Sequence, residues 1–195
     1  MQKIAKLCLI VGCLLIAGSL ALFLSVRIGT EQAQKHNAQV VQTILGLLPP
    51  TQPGVSESFS NMSMPALEID GEDYIGLVEI PALGLMLPVS DPWDKGTAMK
   101  HPCRFDGTVY DHSLIIGGAD RTGQFAGFDQ LQLGYTVTVT DMTGRVFDYV
   151  IQRVDRTSTP TETGLTARNA DLTLFVRDAY SMDYILLRCV AGKEE

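Results

Sequence analysis

Residues 171–189 read "DLTLFVRDAYSMDYILLRC". Leu172, Thr173, Leu174, Phe175 and Val176 form a compact β-forming run. It meets Arg177 and Asp178 with no turn residue between. Charges at the end of a buried strand need partners or water. A second apolar run, "DYILLRCVA" (183–191), follows at once. Two short strands with a charged joint therefore close the chain.

The same pattern extends upstream. "RVFDYVIQRVD" (145–155) and "YTVTVTD" (135–141) alternate apolar and polar residues around a "DMTG" turn, as half-buried strands do. "SLIIGG" (113–118) is a short buried run. "YIGLVEI" (74–80) and "LGLMLPV" (83–89) flank Pro81. Short helical turns are expected at "FAGFDQLQL" (125–133) and "TGLTARNA" (163–170). Many short strands without an internal repeat predict an all-β sandwich or closed barrel, placed at residues 72–192.

The N-terminal part reads differently. "LCLIVGCLLIAGSLALFLSV", Leu7 to Val26, carries no charge. As a helix at ~1.5 Å per residue it spans about 30 Å, the thickness of a bilayer core. Lys3 and Lys6 precede it, so residues 1–6 are expected in the cytoplasm and the remainder outside. A cleaved signal peptide would have a shorter core and a small-residue cleavage site, which "FLSVRIG" does not offer. "IVGC" (Ile10 to Cys13) resembles a lipoprotein box, but the apolar run continues well past Cys13. The reading favours an uncleaved anchor over 7–26. Residues 27–48 suit a helical stalk with Val40, Val41, Ile44, Leu45 and Leu48 on one stripe, ended by Pro49-Pro50. His36 falls on this stalk and is expected to be solvated. Residues 49–71 are rich in Pro and Ser and read as a linker.

Composition narrows the function classes. Apolar residues make up 46% of the 195, and the mean hydropathy is +0.14. Lys and Arg number 15 against 22 Asp and Glu. Without Lys3 and Lys6 the balance beyond the anchor is 13 against 22, a net of −9. An acidic outer domain is a poor ligand for nucleic acid or anionic lipid. Cys8 and Cys13 lie in the apolar run, whereas Cys103 and Cys189 lie beyond it. There is no C-x-x-C and no His/Cys cluster at metal spacing, so neither a metal nor a cofactor is expected. Cys103 and Cys189 are either two separate buried residues or, outside the cell, a disulfide.

The order of segments resembles the sortase family, in its class B and D type branch. "GLVEIPALGLMLPV" (76–89), "MKHPCRFDGTVY" (99–110), "SLIIGGADRTGQFAGFDQLQLGYTVTVTDMTG" (113–144) and "DLTLFVRDAYSMDYILLRC" (171–189) carry the resemblance in order. It implies a closed eight-stranded β-barrel preceded by an N-terminal transmembrane helix, and the membrane-anchored cysteine transpeptidases of Gram-positive bacteria. Such chemistry needs a thiolate nucleophile, a histidine acid/base and an arginine that holds the oxyanion or substrate.

The resemblance assigns those three seats to positions where the residue types differ. The histidine of "I-x-G-H" falls on Ala119, after Ile116-Gly117-Gly118. The cysteine of "L-T-L-x-T-C" falls on Arg177, and the arginine that opens the last strand falls on Tyr184. Phe125 and the Arg188-Cys189 pair keep the register on either side. Alanine moves no proton, arginine is no nucleophile, and tyrosine carries no positive charge. Loss of nucleophile or base alone costs on the order of 10⁶ in kcat. The resemblance thus implies a sortase-like pseudoenzyme without catalytic residues. Its partner would be a sorting-signal peptide, a pilin-like protein or a true sortase.

Arg177, Tyr184 and Trp93 are the candidate peptide-binding residues. A guanidinium in the substrate groove would grip a carboxylate. The plainer reading makes Arg177 a solvated side chain or an ion pair with Asp178 or another acid, makes Tyr184 a strand residue and packs Trp93 in its loop. Two other functions stay open. One is an active transpeptidase or peptidase with Cys103 as relocated nucleophile and His101 or His112 as base. The other is a structural envelope protein with a vestigial groove.

Overall fold

The computed structural model describes residues 2–53, 62–159, 162–165, 170–178 and 181–192, with the backbone alone for 2–11, 24–30 and 162–163. The chain opens with helix α1 (Gln2–Leu47). Strands β1 (Gln52–Pro53), β2 (Leu67–Ile69), β3 (Glu72–Ile80) and β4 (Leu85–Asp91) follow. Then come a short helix α2 (Lys95–Ala98), β5 (Cys103–Asp106), β6 (Leu114–Ala119), β7 (Thr136–Asp141) and β8 (Arg145–Thr157). The turn α3 (Glu162–Leu165), β9 (Leu172–Arg177) and β10 (Tyr184–Ala191) complete it. One-turn 3₁₀ helices lie at Pro81–Leu83 and Phe128–Gln130.

The strands close into a barrel. Around the ring the order is β7, β3, β4, β5, β6, β9, β10, β8 and back to β7, eight strands in all. β6 and β9 run parallel, as do β4 and β5. The interior is filled by inward residues of β3, β4 and β6 to β10, among them Val78, Val89, Ile116, Val139, Ile151, Leu174, Val176, Ile185 and Leu187. Closure removes the open edges that an eight-stranded sheet would otherwise expose.

Local sequence explains the corners. Pro81 ends β3 because it lacks an N–H for the ladder and suits the first position of a 3₁₀ turn. Asp141 makes the β7–β8 turn. Its buried carboxylate accepts from the Thr143 N–H and hydroxyl, the Arg145 N–H and the Tyr110 hydroxyl.

Several expectations are corrected. The linker contributes structure: β1 pairs with β8 and β2 with β3, while residues 54–61 of that linker lie outside those described. β5 and α2 are elements that the sequence pattern did not mark. The segments expected as anchor and stalk, 7–26 and 27–48, fall almost wholly on one continuous helix. Its C-terminal part does not stand clear of the domain, because Val40, Val41 and Ile44 are buried against Tyr74 and Leu77 of β3. No described helix is long and apolar enough to cross a membrane. Of the uncharged run, the side chains of 7–11 and 24–26 lie outside those described. Within it, Leu14, Leu15, Ile16, Leu20, Leu22 and Phe23 stand exposed.

Candidate functional site

Ladder register brings the three singled-out positions together. Across β6 and β9, Ala119 pairs with Arg177. Across β9 and β10, Arg177 pairs with Tyr184. One cross-strand row therefore reads Ala119, Arg177, Tyr184. Strand side chains alternate between faces, so this row shares the barrel's outer face with the next row but one, Gly117, Phe175 and Leu186. Between them runs Gly118, Val176 and Ile185, whose Val176 and Ile185 face the core.

Arg177 answers the question raised by its charged strand end. It is exposed, and its Nε donates to the Met182 carbonyl at 3.4 Å. Among the described residues it has no carboxylate partner. Asp178 does not pair with it, and the exposed guanidinium agrees with the solvated form of the plainer reading. Asp178 is buried and takes Arg156 instead, at 3.3 Å, and accepts from the Ser181 N–H. Adjacent residues at a strand end point to opposite sides, so this chain neighbour is the wrong place for Arg177 to find its acid.

The face below this row is roofed. Trp93 reaches it from the segment after β4, where two flanking aspartates are anchored. Asp91 is held by a two-pronged contact from Arg104, Nε to Oδ1 at 2.9 Å and Nη2 to Oδ2 at 2.6 Å. Asp94 caps α2 by accepting from the Thr97 N–H. The indole packs on Phe105 and Phe175, with centroids 5.2 and 5.6 Å apart. Phe105 meets Phe175 edge-on at 5.6 Å. Gly117 makes the close approach possible, because a Cβ there would lie 2.4 Å from Phe175 Cζ and 2.6 Å from Trp93 Cζ3. Ile115, Leu165, Leu186 and Tyr184 complete this outer cluster.

Arg188 seats the other half of the roof. Its buried guanidinium donates to the Leu165 carbonyl at 2.7 Å, to Thr173 Oγ1 at 2.8 Å and to the Gly164 carbonyl. It thereby fastens α3 over β9 and β10. Burial pushes its pKa below the usual guanidinium range, against the pull of Asp155. Sequence reading used Arg188 only to fix register; an arginine inside an apolar strand was the available signal of a buried anchor.

The relocated-nucleophile set is dispersed. Cys103 is fully buried, and its thiol faces the Pro92 carbonyl at 3.2 Å. Burial pushes that thiol up, away from the thiolate. His101 turns to Glu72 and Tyr74 instead. His112 precedes β6 at the end opposite Ala119, 3.9 Å from Asp171. Cys189 is buried in β10 with its pKa pushed up to about 12, and both it and Cys103 are free thiols.

One arrangement escaped sequence spacing. His36 of α1, Glu72 of β3 and His101 present ligand atoms within 4.8 Å of one another. His36 is half-buried there rather than solvated. These are the described residues that could hold a metal ion.

Comparison with known proteins follows the barrel. Neither a family model nor a curated protein matches the sequence. Solved structures do match. A Sortase D5 transpeptidase of Clostridium perfringens superposes with a TM-score of 0.53 at 20% identity, over 62% of this chain and 80% of that one. Sortase C-1 from Actinomyces oris gives 0.53 at 19%, over 63% and 76%. The barrel has the sortase fold. Sortase A from Corynebacterium diphtheriae gives 0.52 at 18% over 85% of both chains, so that alignment reaches beyond the barrel. These sortases carry the names of three classes, and the likeness is one of fold.

Proposed function

We propose that this sortase-fold protein is a membrane-anchored binding protein of the class B and D type branch that does not transpeptidate. The observation that carries this is the row Ala119, Arg177, Tyr184. The motif resemblance assigns these positions to the family's histidine, cysteine and arginine. None of the three can take the part of the residue type it replaces: alanine is no acid/base, arginine no nucleophile and tyrosine no cation. The apolar, uncharged run Leu7–Val26 is the anchor, with the N-terminus in the cytoplasm and the barrel outside the cell. Exposed leucines and Phe23 on that stretch of α1 suit lipid rather than water.

The ligand in this reading is an extended sorting-signal-like peptide, free or on a pilin-like or cell-wall protein. A carboxylate on it would meet Arg177, whose guanidinium has no acidic partner among the described residues. Calorimetry with sorting-motif peptides, on the full chain in detergent, tests this. Binding lost in Arg177→Ala supports the reading; unchanged binding removes Arg177 from it. A fluorogenic sorting peptide should give no turnover, and turnover lost in Cys103→Ala would restore the active-enzyme alternative.

A second reading, a structural envelope protein with a closed face, is favoured by the roof of Trp93, Phe105 and Leu165 over Phe175. It predicts no peptide binding at all.

A further inference from the structure

We propose that His36, Glu72 and His101 form a binding site for a divalent transition-metal ion, zinc by chemistry, that fastens helix α1 to the barrel. Three separate elements deliver the ligands. His36 comes from α1, Glu72 opens β3, and His101 sits in the turn between α2 and β5. Each offers one ligand atom, and the three lie within 4.8 Å of one another. Small side-chain movements would fit such atoms to the ~2.0–2.2 Å bonds that zinc makes with His and Glu. Two imidazoles and one carboxylate are a zinc donor set that leaves a position for water.

The second observation is the state of His101. Its side chain is 1% exposed. Nε2 lies 2.8 Å from Glu72 Oε2, yet the alignment is not that of a hydrogen bond, and neither ring nitrogen has a hydrogen-bond partner. A fully buried imidazole with both nitrogens unsatisfied is costly and rare. A shared ion explains why imidazole nitrogen and carboxylate oxygen converge without bonding to each other.

The surroundings are built to hold this geometry. His101 N–H bonds back to the Thr97 carbonyl at 3.1 Å, and the adjacent Pro102 carbonyl takes the Ser90 N–H at 2.9 Å. The Tyr74 hydroxyl donates to Glu72 Oε2 at 3.1 Å and its ring lies 5.4 Å from that of His101. Such outer contacts orient a ligating carboxylate. On the helix side, Asn37 Nδ2 donates to the Gly123 carbonyl at 2.8 Å and to that of Lys100 at 3.3 Å. Lys100 stands 3.6 Å from Glu72 Oε1. Its side chain is 66% exposed, so it can swing to water when an ion arrives. His36 and Glu72 are half-buried and leave a path for entry.

The test uses the full chain in detergent, stripped with a chelator. Zinc is titrated by calorimetry, with magnesium and calcium as controls, and thermal unfolding is followed with and without zinc. One zinc per chain and a rise in Tm are expected, with no comparable response to magnesium or calcium. His36→Gln, on the half-exposed helix face, should keep the metal-free Tm. It should lose zinc affinity by more than roughly tenfold, the least that even an outer-shell change brings. Glu72→Gln should do the same if His101 variants fail to fold. Absence of one-to-one zinc binding, or zinc binding unchanged in both His36→Gln and Glu72→Gln, overturns the site.

Discussion

Arg177 and Tyr184 face each other across β9 and β10, and on the other side Arg177 faces Ala119. This places a permanent positive charge at the centre of a three-strand row, beside a methyl group and a phenol. The nearest acid in sequence, Asp178, belongs to Arg156. Among the described residues the guanidinium has no counter-charge of its own and leans on the Met182 carbonyl, so the peptide reading turns on whether a carboxylate from outside meets it.

Trp93 is the only tryptophan in the chain, so its fluorescence reports the roof. Gly117→Ala would place a methyl 2.6 Å from the indole and 2.4 Å from Phe175. Overpacking of this kind costs about 1–3 kcal/mol. The expected outcome is a red-shifted emission and a lower denaturation midpoint. If the roof covers the peptide site, this variant binds sorting-motif peptide more tightly than wild type. If peptide binding is weaker or unchanged, Trp93 is part of the ligand's seat or has nothing to do with it.

Arg188 holds α3 through two backbone carbonyls and the Thr173 hydroxyl. Arg188→Met takes the donor away from the buried Leu165 carbonyl and Thr173 hydroxyl, at about 1–3 kcal/mol for each group left unsatisfied. Urea unfolding should show a loss of about 2–4 kcal/mol, given partial rehydration of α3. Arg188→Lys should recover little, because a point charge cannot reproduce the planar fork. A loss below about 0.5 kcal/mol, the level of an ordinary surface change, would contradict the anchoring role.

The barrel was legible from alternation. Val137 and Val139 between threonines, and the Leu172–Val176 run, declare strands without any tertiary knowledge. β5 was hidden because "CRFD" is short and its register shifts between Arg104 and Asp106, which breaks the period-2 pattern. The row Ala119, Arg177, Tyr184 was nameable only through family resemblance, since strands far apart in sequence become neighbours by topology alone. His36, Glu72 and His101 had no such guide. Their convergence depends on α1 docking through Val40, Val41 and Ile44, and no spacing rule encodes a helix docked on a barrel.

Buried thiols give a pH prediction. The Cys189 thiol is pushed from 9.0 to about 12 by burial, and Cys103 moves in the same direction. A folded pKa above the unfolded one means the stabilisation is complete below the unfolded value and is lost as pH rises through the folded one. Stability should therefore fall from about pH 9 upward, and Cys189→Ala should flatten part of that decline. Alkylation at pH 8 should leave Cys103 and Cys189 unmodified in the folded chain and modify both in urea. Rapid native labelling of Cys103 would revive it as a nucleophile.

Installing the sortase residue types at the three positions tests the proposed seats directly. In Arg177→Cys the new thiol lies on the exposed end of β9, unlike Cys103 and Cys189. Adding Ala119→His across the β6 pairing places an imidazole in the neighbouring ladder position, where it can lower the thiol's pKa. Tyr184→Arg adds a cation on the other side. The expected outcome is alkylation near neutral pH faster in the triple variant than in Arg177→Cys alone, by roughly three- to fourfold for each unit that the thiol pKa falls toward ambient pH, since a less basic thiolate is also less nucleophilic. Cleavage of a fluorogenic sorting peptide should appear in the triple variant only. A folded triple variant with an ordinary thiol and no turnover would show that this row, though it sits on a sortase-fold barrel, does not carry the family's catalytic geometry.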